Sequence, residues 1–162
     1  MPDLTSLAAS VAALLTESKQ TIGVAESSAG GLISAALVAV PGASAYYLGG
    51  STVYTLASRS GLLRISEEAM AGMRASTEAY ALLKARTIRQ HLGATWGLAE
   101  TGASGPTGNR YGDAAGHACI AVTGPVERAI TVETGKGDRE ANMWTFTKAA
   151  LDLLEACIKE AR

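Results

Sequence analysis

The chain reads as an α/β domain of three layers, α/β/α, built on a mixed sheet. Two observations predict this. Short apolar runs of strand length alternate with longer segments whose apolar residues recur every three or four positions. Late in the chain, two such runs near 117–123 and 127–133 are joined through Gly124-Pro125, which marks an antiparallel hairpin within an otherwise βαβ-like alternation. At 162 residues the chain is long enough for one well-cored domain, 1–162, and short for two.

Each element has its own signal. Leu4, Leu7, Ala8, Val11, Leu14 and Leu15 define a first amphipathic helix ending near Lys19-Gln20. Residues 21–25 form a short apolar strand. Leu32, Ile33, Ala36, Leu37 and Val40 line one face of a second helix, stopped by Pro41-Gly42. Residues 46–55 are rich in β-branched and aromatic types and read as a strand, with Gly49-Gly50 marking a bulge or a close backbone approach. A short helical piece carries Arg59 and closes at Leu62-Leu63, and Ser66 caps a minor helix over 67–73. Thr77-Glu78 opens a longer helix to His91, ended by Gly93. Residues 96–101 form another apolar strand, followed by a loop to Asp113 with almost no bulky side chains. After the hairpin, Gly137-Asp138-Arg139 opens a helix to the C-terminus, with Trp144, Leu151, Leu154 and Ile158 on its buried face beside Phe146, Leu153 and Cys157.

Composition narrows the function. The formal net charge is -1, which disfavours a nucleic-acid surface held by general electrostatics, while a small anionic substrate needs only a local positive site. Cys119 and Cys157 lie in apolar surroundings and read as reduced core residues. His91 and His117 have no metal-ligand spacing, so no metal is expected. No apolar run reaches membrane-spanning length and no signal peptide opens the chain, so a cytoplasmic protein with no membrane partner is expected.

Three strand-end segments qualify as ligand sites: the 26–31 turn, the 54–59 segment and the 101–113 loop. In the first, a strand passes through Glu26, Ser27 and Ser28 into Gly30-Gly31 and a helix. Free N–H groups at such a helix start attract anions. The turn is neither a Walker loop nor a dinucleotide fingerprint, and Ser28 does not sit in GxSxG.

Taken in order, Ala25-Glu26-Ser27-Ser28-Ala29-Gly30-Gly31, Pro41-Gly42-Ala43-Ser44, Gly49-Gly50 with Tyr54-Thr55, Thr101-Gly102-Ala103-Ser104-Gly105-Pro106 and Gly137-Asp138-Arg139 form a pattern. It resembles the CinA C-terminal domain family, the nicotinamide-nucleotide amidases, over nearly the whole chain. The resemblance implies a three-layer α/β/α fold in stand-alone form. It implies conversion of nicotinamide mononucleotide to nicotinic acid mononucleotide and ammonia without any cofactor. By the family motifs, Ser27 corresponds to the nucleophile, Tyr54 to the tyrosine of Gly-Gly-x-x-x-Tyr, and Arg59 to an activating lysine. Thr101 through Pro106, with Gly102 and Gly105, corresponds to a loop that binds phosphate or ribose. Ser28, Gly30, Gly31 and Arg110 complete the expected substrate contacts.

Four positions depart from the family pattern: Ala29 replaces Thr, Leu56 replaces Asn, Arg59 replaces Lys, and Asp113 falls near a Lys. Arginine stays protonated and is no general base, so Tyr54 or Glu26 must take the serine proton, or Arg59 acts only electrostatically. Arg110 is a candidate to offset Asp113. The alternatives are an active amidohydrolase, a nucleotide-binding relative that has lost turnover, and an amidase on a different small substrate. The hairpin leaves a strand edge open to a partner, so a homo-oligomer is expected.

Overall fold

The structure, a computed structural model, describes residues 3–162. Five helices and five strands follow one another as α1 (Leu4–Ser18), β1 (Ile22–Glu26), α2 (Leu32–Ala39), β2 (Tyr47–Thr52), α3 (Leu56–Leu63), α4 (Glu78–Leu92), β3 (Trp96–Ala103), β4 (His117–Thr123), β5 (Arg128–Glu133) and α5 (Arg139–Glu160). A 3-10 turn at Ala43–Ala45, which the sequence pattern does not announce, leads into β2. The sheet order is β2-β1-β3-β4-β5. β1 runs parallel to β2 and β3, while β3, β4 and β5 are antiparallel, which makes the sheet mixed as expected.

Large and small residues alternate along the central strands, and this sets the layers. Ile22, Val24, Trp96, Leu98, Ile120 and Val122 pack into a core with α1, α2 and α5. The opposite face carries Gly23, Ala25, Gly97, Ala99 and Ala121, against α4. A Cβ added at Gly97 would lie 2.1 Å from the Ala85 carbonyl oxygen, so α4 approaches the sheet by contact with bare backbone. The glycine pair of β2 behaves as its sequence suggests. The β1–β2 register shifts between Ile22 and Gly23, and a Cβ at Gly50 would lie 2.8 Å from the Val24 carbonyl oxygen.

Two expectations are corrected. Residues 67–73 form successive turns, not a helix: Met70 N–H donates to Glu67 O at 3.1 Å and Met73 N–H to Met70 O at 2.8 Å. So short a stretch, ended by Gly72 at φ 74°, has too few i→i−4 bonds to offset helix nucleation. Trp144 lies on the inner stripe of α5 but is only half-buried, because surface hollows beside Leu7 and Leu32 leave its ring partly open. Phe146, Ala150, Leu151, Leu154 and Ile158 fill the core as expected.

The loop after β3 is held from below by a charged strut. Arg74 donates to both carboxylate oxygens of Asp113, at 2.9 and 3.3 Å, and Asn109 Nδ2 donates to Oδ2 at 2.8 Å. Arg74, not Arg110, therefore offsets Asp113. Next to it, His117 Nε2 donates to Ser76 O at 2.8 Å and Nδ1 faces Glu133 Oε1 at 2.5 Å. With an acceptor at each ring nitrogen, the imidazolium is favoured. Burial pulls the His117 pKa down, but Glu133, the Ser76 carbonyl and Asp113 outweigh it and the net shift is upward. A raised folded pKa stabilises the fold fully below the unfolded value of about 6.5, and that contribution is lost as pH rises through the folded value. The melting-temperature difference between wild type and His117→Gln should therefore be largest below pH 6.5 and shrink toward pH 9. Thermal denaturation across this range checks it, and a pH-independent difference contradicts it.

Candidate active site

Two carboxylates organise the site. Glu26 ends β1 and Glu100 lies near the end of β3, on the sheet face that α2 covers, and both are fully buried. Glu26 Oε1 accepts the N–H of Gly31 at 2.8 Å and of Ile33 at 3.1 Å, and Oε2 accepts that of Ser34 at 2.9 Å. Glu100 Oε1 accepts the N–H of Ser27 at 3.0 Å and of Ala29 at 2.8 Å, and Oε2 accepts the Ser28 hydroxyl. Buried backbone donors require partners, and here the protein supplies them itself. The free donors expected at the start of α2 are thus already occupied. Burial pushes the Glu26 carboxyl up, the N–H groups of Ser34 and Ile33 pull it back, and the neighbouring Glu100 charge adds to the rise.

Lys84 belongs to the same group. It is fully buried on α4, and its Nζ donates to the Glu100 carbonyl oxygen at 2.7 Å. Burial lowers its pKa to about 8, against the opposing pull of Glu100 and Glu26. Sequence reasoning missed both Lys84 and Glu100. The signal was present, since Tyr80, Ala81, Lys84, Ala85 and Ile88 make one buried stripe, and Glu100 interrupts an apolar strand.

Outside this group, a cavity of about 460 Å³ opens at the strand ends. It brings together Ser27, Ser28, Tyr54, Arg59, Thr101, Gly102, Gly105 and Arg110 from three distant segments. Glu26, Gly30 and Gly31 do not line it. The two glycines shape the turn instead, at φ 71° and 102°, and Glu26 is committed to α2. The cavity also receives Arg139, whose Nη1 donates to Gly105 O at 2.5 Å and Nη2 to the Tyr54 hydroxyl at 2.9 Å. Arg139 had been visible only as the end of the Gly-Asp-Arg motif.

The two serines differ. The Ser28 hydroxyl donates to Glu100, and Ser28 O accepts from Ser104 Oγ at 2.9 Å. The Ser27 hydroxyl has no protein partner among the described residues and faces the cavity. Arg59 is buried, pairs with Glu67 at 2.8 Å, and leaves its Nε without an acceptor. Three arginines line the cavity, and among the described residues no carboxylate side chain does. Three tyrosines, Tyr54, Tyr80 and Tyr111, add aromatic surface. Burial raises the Tyr80 pKa, with Arg59 pulling the other way.

Among the described residues, no helix is long and apolar enough to cross a membrane. A CinA-like protein from Gloeobacter violaceus is 39% identical over 154 residues, which cover 94% of this chain and 36% of that relative. One from Synechococcus elongatus is 37% identical over 153 residues, with 94% and 36% covered. The chain thus spans about a third of the length of these curated relatives. Among solved structures, a CinA superfamily protein from Klebsiella pneumoniae superposes with a TM-score of 0.90 at 25% identity, over 98% of this chain and 99% of that one. One from Enterobacter cloacae gives 0.88 at 26%, over 98% and 94%. The CinA C-terminal domain matches residues 4–158, and the chain belongs to that family.

Proposed function

We propose that this protein is an amidohydrolase that converts nicotinamide mononucleotide, or a close relative, to the corresponding acid and ammonia. The observation that carries this reading is the cavity itself. It combines an unpartnered serine hydroxyl with three guanidinium groups and no carboxylate side chain among the described residues. A phosphate suits Arg110, Arg139 and the glycine loop, where the N–H groups of Gly105, Thr107 and Gly108 have no protein acceptor among the described residues. A pyridinium ring is a flat cation, and tyrosine faces attract it. The cavity volume falls within the usual range of small-molecule sites, about 300–1,000 Å³.

In this mechanism Ser27 Oγ attacks the carboxamide carbon, the C–N bond breaks, and ammonia leaves. Water then cleaves the acyl-serine. The Ser28 N–H has no protein acceptor among the described residues and serves the oxyanion, with Arg59 as a fixed cation beside it. Tyr54, oriented by Arg139, carries the serine proton to the leaving nitrogen. Glu26 has no such role, because both its oxygens hold α2.

Ammonia release from nicotinamide mononucleotide tests the reading. Ser27→Ala should lower kcat/KM by ~10³-fold or more, as for a lost nucleophile. Its unfolding free energy should stay within about 0.5 kcal/mol of wild type, since the hydroxyl has no partner to lose. Equal rates for the two proteins would refute the assignment.

A second measurement concerns Arg59. Arg59→Lys exchanges a fixed, forked cation for a point charge, and in a working enzyme it should lower kcat by about 10-fold. A rise from near zero would instead identify a nucleotide-binding relative that lost turnover at this position.

A further inference from the structure

Glu100 and Lys84 do not line the cavity, yet both are fully buried ionisable side chains. Burying a charged side chain is costly, and apolar residues of similar size often serve stability as well or better. Their contacts point to something other than stability. The Glu100 carboxylate receives three donors from three consecutive residues: Ser27 N–H, the Ser28 hydroxyl and Ala29 N–H. One rigid group therefore fixes the backbone on both sides of residue 28 and takes the neighbouring hydroxyl out of competition. Ser104 Oγ holds Ser28 O from the loop side, and Asn142 Nδ2 holds Ser104 O at 2.7 Å. Lys84 reaches Glu100 from α4, across the small-residue face of the sheet, and its Nζ anchors the Glu100 carbonyl oxygen. The two carboxylates are near enough for the Glu100 charge to raise the Glu26 pKa, and both act to keep Lys84 protonated against its burial.

We propose that Glu100 and Lys84 are positioning residues that hold the 27–29 turn so that Ser27 Oγ, alone among its hydroxyls, is presented to the cavity. This rests on the reading of Ser27 as the nucleophile. Fixing a nucleophile in its reactive geometry acts on the chemical step more than on substrate affinity.

The test compares three variants for ammonia release from nicotinamide mononucleotide. Glu100→Leu with Lys84→Met removes the charges and the turn's acceptor together. It should lower kcat by ~100-fold and leave KM within about threefold. Glu100→Gln with Lys84→Met keeps an acceptor for the two N–H groups and should restore kcat to within about tenfold of wild type. Glu100→Asp keeps the charge and the Lys84 anchor but withdraws the carboxylate by one methylene. It should lower kcat by about tenfold, and it provides the comparison if the apolar pair does not fold. A wild-type kcat in a folded apolar pair, or in Glu100→Asp, would overturn the proposal.

Covalent labelling of Ser27 by a fluorophosphonate probe separates this claim from the choice of substrate. If wild type releases no ammonia but labels ~100-fold faster than the apolar pair, the positioning role stands and the substrate assignment falls. Equal labelling rates, or no labelling of wild-type Ser27, would overturn the positioning role.

Discussion

Everything at the site depends on how five backbone N–H groups between Ser27 and Ser34 are satisfied. They crowd the passage from β1 into α2, where burial leaves no water to receive them. Glu26 takes three and Glu100 takes two. A turn closed by its own carboxylates has no general affinity for anions, because these five donors are occupied, the local charge is already negative, and only the Ser28 N–H is left without a protein acceptor among the described residues. The positive charge of the cavity lies elsewhere, on Arg59, Arg110 and Arg139 of its other walls. In the proposed function the two tasks are thus separated: the turn presents a hydroxyl, and Arg110 and Arg139 attract the phosphate.

The sheet makes this separation possible. Its α4 face carries small side chains, Gly23, Ala25, Gly97, Ala99, Cys119 and Ala121, so the helix comes close enough for Lys84 to reach the end of β3. The opposite face carries the bulky side chains, ending in Glu26 and Glu100 under the start of α2. Strand ends then bring Ser27, Thr101 and the 54–59 segment to one edge. Arg139 closes the rim by bridging Gly105 to Tyr54, which is itself 59% exposed and has no other side-chain hydrogen bond among the described residues. Arg74 and His117 brace the loop beneath.

The architecture was legible in the sequence because its signals are periodic. Apolar spacing marks α1, α2 and α5, Thr77-Glu78 and Gly93 bound α4, Gly124-Pro125 marks the hairpin, and Gly49-Gly50 marks the register shift between β1 and β2. Segment 67–73 misled because a capping serine and apolar residues suit a turn as well as a helix. At the site, motif order identified the cavity walls, since Ser27, Tyr54, Arg59, Thr101 and Arg110 all line it. It could not show which carboxylate partners which N–H, because that is decided by strand register, and Ala25 pairs with Ala99 only once β1 and β3 lie side by side. Glu26 looked free and is committed. Glu100 looked like part of an apolar strand and holds the turn.

The most direct test is the structure of Ser27→Ala crystallised with nicotinamide mononucleotide. The account predicts that the phosphate lies among Arg110, Arg139 and the 105–108 loop, with the carboxamide carbon over the β-carbon of residue 27 and both carboxylates still bound to the turn. A phosphate seated on the N–H groups of residues 29–34, with Glu26 or Glu100 displaced, would contradict it.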